Sequence, residues 1–108
     1  MATIFEQVSS NPALRVREAD LRRLTLPDGA PAGAGWYSLA CGTTTPVETH
    51  TVAEVWALLS GRGHAQVGEH THDVEAGDVV VVPSGAVHAL TNTGEERLDF
   101  VSVWWHPR

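Results

Sequence analysis

The chain has 108 residues, of which 43% are apolar, seven are basic and thirteen acidic. That length suits one domain around one modest core, and a net charge of −6 argues against nucleic acid or an anionic membrane as partner, since both select clustered Lys and Arg. No apolar run reaches the length needed to span a bilayer, and Met1 to Gln7 has neither a charged n-region nor an apolar h-region, so a soluble cytoplasmic protein is expected.

Along the chain, turn signals recur every eight to twelve residues: Pro27-Asp28-Gly29, Gly33-Ala34-Gly35, Thr45-Pro46, Gly61-Arg62-Gly63, Gly68-Glu69, Ala76-Gly77-Asp78, Pro83-Ser84-Gly85 and Asn92-Thr93-Gly94. This rhythm predicts an all-β barrel or sandwich. Leu14 to Arg17 and Leu21 to Leu26 read as lead-in strands, followed by a loop from Pro27 to Gly35. Barrel strands are expected at Trp36 to Cys41, His64 to Val67, His70 to Val74, Val79 to Val82, Val87 to Thr91 and Leu98 to Trp105. The single cysteine, Cys41, precedes Gly42 in an apolar run and reads as a small buried hydrophobe.

Glu48 to Ser60 resists this pattern. Its good helix formers, its apolar residues at Val52, Val55, Trp56 and Leu59, and the glycine at Gly61 favour a helix on local propensity alone. A straight strand, at about 3.3 Å per residue, would hold His50 and Glu54 roughly 13 Å apart. To share one ion they need either a helix or a bend between them.

Two stretches carry a family resemblance. Gly77 to Asn92 reads G-x5-P-x-G-x2-H-x3-N, with Pro83, Gly85, His88 and Asn92 at the fixed positions, and resembles the second conserved motif of the cupin superfamily. Gly42 to Gly61 resembles the first, G-x5-H-x-H-x3-E-x6-G, with His50, Glu54 and Gly61 in place and Glu48 where the first metal-binding histidine should be. The resemblance implies a double-stranded β-helix, or jelly-roll barrel, in a single domain over 1–108, with lead-in strands over 1–35 and the conserved barrel over about 36–105. It also places His50 at the end of one strand and Glu54 at the start of the next, which supplies the bend.

His50, Glu54 and His88 would then form a facial set of two imidazoles and one carboxylate, leaving up to three positions on a divalent ion for water, substrate or dioxygen. Pro83-Ser84-Gly85 would aim His88 into the barrel mouth, and Asn92 would hold the end of that strand. Glu48 has three readings: a fourth ligand that favours Mn(II) or Fe(II), with Ni(II) and Zn(II) as further candidates; an acid/base group beside the ion; or a solvent-facing bystander.

The remaining histidines carry weaker signals. His70 and His72 flank the Gly68-Glu69 turn, where a solvated hairpin is expected, although alternation from Val74 allows His72 to line the pocket. His64 is expected to face water, and His106 falls in the tail. By phase, Trp56, Phe100, Ser102 and Trp104 join His72 as candidate substrate contacts in a largely apolar cavity. Four tryptophans are hard to bury in so small a domain, so Trp36 or Trp105 is expected at the interface of a homodimer built through the early strands.

These readings combine into a metal-dependent enzyme, oxygenase-like or isomerase/lyase in type, acting on a small apolar or aromatic oxygenated metabolite, with Glu48 as its candidate catalytic group. The alternative is a non-catalytic metal- or small-molecule-binding protein. The lack of clustered Arg and Lys argues against phosphorylated substrates.

Overall fold

In a computed structural model, residues 6–9, 11–20 and 32–107 are described, with side chains from residue 11 to 18 and from 32 onward. Nine strands carry the fold: β1 (Glu6–Ser9), β2 (Leu14–Asp20), β3 (Ala32–Leu39), β4 (Ala53–Ser60), β5 (Arg62–Val67), β6 (His70–Glu75), β7 (Val79–Val82), β8 (His88–Asn92) and β9 (Leu98–Trp105). They form one sheet ordered β1-β2-β3-β9-β4-β7 and a second ordered β6-β5-β8, every named pairing antiparallel. This is the cupin β-barrel expected from the motifs. Among the described residues there is no helix, and none is long and apolar enough to cross a membrane.

The helical propensity of Glu48 to Ser60 loses to tertiary pairing. From Ala53 to Ser60 the chain is a strand held between β7 and β9, and the pairing Val82–Glu54–Trp104 sets its register. With a period of two, Glu54, Trp56 and Leu58 turn inward together while Val55, Ala57 and Leu59 face out. A helix would have split that apolar set around its circumference. Inward burial of Trp56 and Leu58 contributes about 1.5–3 kcal/mol for each side chain, and both join the core with Leu39, Val82, Leu90, Leu98 and Phe100.

Several expectations are corrected. The loop predicted through Gly35 ends sooner, because Gly33 and Gly35 lie inside β3 rather than in a turn. A Cβ on Gly33 would lie 2.4 Å from the Trp104 indole, and one on Gly35 2.7 Å from the Tyr37 ring, so these glycines are spaces for aromatic side chains. Cys41 is exposed in the turn after β3, because the core-facing phase of that strand ends at Leu39. β1 was not foreseen, and the strand predicted at Leu21 to Leu26 lies outside the described residues.

Asn92 closes the end of β8. Its Nδ2 donates to the carbonyls of Leu39 (3.0 Å) and Glu96 (2.7 Å), and its Oδ1 accepts from the Gly94 amide (2.9 Å). At 1% exposure each of these groups needs a protein partner, which explains an amide at this motif position.

Candidate metal centre

Backbone pairing builds the centre from two distant segments. Glu48 forms an isolated antiparallel bridge with His88, each amide donating to the other's carbonyl at 3.1 and 2.9 Å. After His50 the chain bends at Thr51 and Val52 before β4 begins, which brings Glu54 back toward the same barrel end. The turn of the second motif clamps this bend: the Gly85 amide donates to the His50 carbonyl (2.7 Å) and the Ser84 hydroxyl to the Thr51 carbonyl (2.6 Å). At φ 81°, Gly85 occupies the left-handed region where a side chain would add strain. The role of Pro83-Ser84-Gly85 is therefore wider than aiming His88, since it also holds His50.

Glu48, His50 and His88 each offer a ligand atom, and these atoms all lie within 4.8 Å of one another. His50 Nε2 is 2.8 Å from Glu48 Oε2, and both side chains are exposed at the barrel mouth. His88 is buried, its ring edge-on to Trp56 at 5.7 Å between centroids and tilted against His50 at 5.1 Å. His88 Nδ1 lies 3.0 Å from the Ala86 carbonyl, which can only accept. Nδ1 therefore carries the proton, and a neutral His88 presents the lone pair of Nε2 to the centre.

Glu54 stands beside this cluster. Its Oε1 accepts from Ser102 Oγ (2.9 Å) and Trp56 Nε1 (3.3 Å), which fixes the carboxylate plane. Its Oε2 lies 3.2 Å from His88 Nε2, is buried, and has no hydrogen-bond partner. With His88 neutral, two lone pairs face each other there. A buried, unsatisfied carboxylate oxygen is costly, and a cation held jointly by Glu54, His88 and the Glu48–His50 pair removes that cost. The donor set of two imidazoles and carboxylates thus fits a divalent first-row ion.

In front of these residues opens a cavity of about 380 Å³. Glu48, His50 and Glu54 line it together with Glu18, Tyr37, Thr51, Val52 and Trp104. Of the expected substrate contacts, only Trp104 belongs to this lining. Trp56, Phe100 and Ser102 are buried behind Glu54, where Ser102 and Trp56 orient the carboxylate and Phe100 stacks on Tyr37 with centroids 4.8 Å apart. His72 sits on the exposed face of edge strand β6 beside His70, away from the centre, because Val74 alone on that strand reaches the core. His64 is exposed and pairs with Asp73 at 2.9 Å.

Glu18 and Tyr37 escaped the sequence reading. Inward phase from Val16 could have found Glu18, but Tyr37 was hidden because its ring fills the space left by Gly35, a glycine that resembled a turn. Burial, then the carboxylates of Glu18, Glu54 and Glu48, push the Tyr37 phenol far above its usual range. It is therefore a neutral hydroxyl at physiological pH and not a base.

Residues 35–104 match the Cupin domain family, and the chain belongs to it. It is 39% identical over 62 residues to an uncharacterized protein of Streptomyces coelicolor, covering 57% of this chain and 59% of that relative, so the match spans less than two thirds of the relative's length. A cupin 2 conserved barrel domain protein from Salinispora arenicola superposes with a TM-score of 0.67 at 28% identity, over 83% of this chain and 75% of that one. A predicted oxalate decarboxylase of Thermotoga maritima gives a TM-score of 0.73 at 23% identity, over 99% of this chain and 100% of that one, which shows the shared fold.

Proposed function

We propose that this cupin is a metal-dependent enzyme, oxygenase-like or isomerase/lyase in type, acting on a small oxygenated metabolite, with Fe(II) or Mn(II) as its ion. The carboxylates of Glu18, Glu48 and Glu54 in the lining replace the largely apolar cavity expected from the sequence. The observation that carries the reading is the convergence of Glu48, His50 and His88 on one point, with the unpartnered Glu54 oxygen beside it. His50, His88 and Glu54 hold the ion, while Ser102 and Trp56 keep Glu54 aimed at it. A bound divalent ion would supply Lewis acidity toward a substrate oxygen. Glu48, exposed at the mouth and touching His50, is placed either to complete the coordination or to carry a proton.

Metal analysis of protein purified without an affinity tag tests this reading, with about one divalent ion per chain expected. The Glu48 variants then separate its two roles. As a ligand, Glu48→Gln weakens metal retention while Glu48→His, which restores the family pattern, recovers it and shifts preference toward softer ions. As a proton carrier, both variants keep metal and lose turnover of the wild-type substrate. Wild-type metal content and activity in both variants would make Glu48 a bystander.

We also propose a homodimer, for which the outward face of β7, β4 and β9 offers an interface besides the early strands. The outward rows Val81–Val55–Val103 and Val79–Ala57–Val101 cross β7, β4 and β9 without one charged residue, and Val79, Val81, Val103, Trp105 and Leu59 are all exposed. On a chain of net charge −6 this face can meet a second copy without setting acid against acid. Sedimentation should give a dimer at micromolar concentration, and Val81→Glu should convert it to monomer. A wild-type monomer would refute the proposal.

A further inference from the structure

The cavity in front of the metal centre has a second half whose chemistry the metal reading leaves unused. The inner face of the larger sheet runs in cross-strand rows: Gly33, Trp104 and Glu54 in one, and Glu18, Gly35, Ser102 and Trp56 in the next. Gly33 and Gly35 leave a gap in this surface two residues long on β3. Trp104 lies across the first glycine and Tyr37 across the second, each ring so close that an added Cβ would overlap it. Glu18, paired with Gly35, has no side chain opposite and turns half-buried into the same cavity. A carboxylate and two aromatic rings thus line one cavity.

Charge sets what this half accepts. Two carboxylates, Glu48 and Glu54, suffice to balance a divalent ion held by neutral histidines. Glu18 is a third, and it has no hydrogen-bond or ion-pair partner among the described residues. No Lys or Arg lines the cavity among those residues. An anionic ligand would enter against the charge of Glu18. A positively charged nitrogen would gain a charge-assisted hydrogen bond to Glu18 beside the Tyr37 and Trp104 rings that line the cavity, an arrangement that favours organic cations.

We propose that Glu18, Tyr37 and Trp104 form a subsite for a cationic nitrogen, so that the substrate is a small amine whose other end reaches the metal centre. The assignment rests on the metal-dependent reading for what lies at that other end, but not for the subsite itself.

The experiment uses three probes of one shape, namely benzylamine, benzyl alcohol and benzoate, titrated calorimetrically into metal-loaded and into EDTA-treated protein. Benzylamine should bind at least tenfold more tightly than benzyl alcohol in both preparations, with benzoate weakest in the EDTA-treated one. Added NaCl should weaken benzylamine and leave the alcohol unchanged. Glu18→Gln should erase the tenfold preference while retaining the wild-type metal content and melting temperature, and Tyr37→Leu should reduce it. Equal binding of amine and alcohol to the EDTA-treated wild type would overturn the subsite, as would an unaltered preference in a folded Glu18→Gln variant. If Glu18→Gln fails to fold, the probe and salt series on the wild type decides alone. Absence of metal from the wild type would defeat the metal reading and leave amine selection standing, so the two failures are distinguishable.

Discussion

His88→Ala is expected to empty the metal centre, taking the ion content from about one per chain to below about one tenth. His88 is the buried imidazole of the set, and its Nε2 lies 3.2 Å from the Glu54 oxygen that lacks a hydrogen bond. Without it the exposed Glu48 and His50 side chains are left to hold the ion with Glu54 across a widened gap, and each lost protein ligand lowers affinity steeply. The wild type should gain stability from Fe(II) or Mn(II) by mass action, about 2.7 kcal/mol at a hundredfold excess over Kd. At roughly 4–8 °C per kcal/mol for a domain near this size, the melting temperature should rise by more than about 10 °C. The variant should show no such rise. Elemental analysis with parallel melting curves measures both effects, and His72→Ala, far from the centre, should match the wild type. Full occupancy in His88→Ala would remove His88 from the ligand set and the site with it.

Gly63→Ala should destabilise the barrel by about 3 kcal/mol or more, near the upper end of overpacking effects. Gly63 lies in β5 opposite Asn92, and an added Cβ would stand 2.1 Å from the Thr91 carbonyl and 2.8 Å from Leu98 Cδ1. The carbonyl belongs to the backbone of β8. It cannot retreat without disturbing the strand that carries His88 and Asn92. Gly68→Ala is the control, since Gly68 has φ 62° but open space around its Cβ position. Its cost is confined to backbone strain, about 1 kcal/mol. Denaturant midpoints for the two variants should therefore differ clearly. Equal losses would show that β8 can shift, and the tight β5–β8 approach would then not explain the glycine.

Gly63 also shows where sequence reasoning loses its hold. Within one short stretch Gly61 and Gly63 look alike as punctuation, yet Gly61, between β4 and β5, needs both its left-handed φ of 80° and the space under the Arg97 carbonyl, whereas Gly63 sits in extended strand and needs only the space under the Thr91 carbonyl. A missing Cβ can serve the conformation of its own residue or the space of another, and only the second depends on residues far away in the chain. The same ambiguity concealed the start of β3 at Ala32 and, with it, the aromatic shelf of Trp104 and Tyr37.

By itself the sequence determined the all-β barrel, the motif residues His50, Glu54, His88 and Asn92, and the departure at Glu48. Turn chemistry and two-residue alternation are local properties, and β7 and β9 follow them to the residue at Val79–Val82 and Leu98–Trp105. Tertiary structure decided that Ala53–Ser60 is strand, because pairing with β7 and β9 outweighs a helix propensity worth only tenths of a kcal/mol per residue. It also decided that Ser102 and Trp56 serve Glu54 rather than face the cavity, and that Glu18 and Tyr37 do face it. Those roles depend on which strands lie side by side, and neither β3 beside β9 nor β9 beside β4 is a pairing of sequence neighbours.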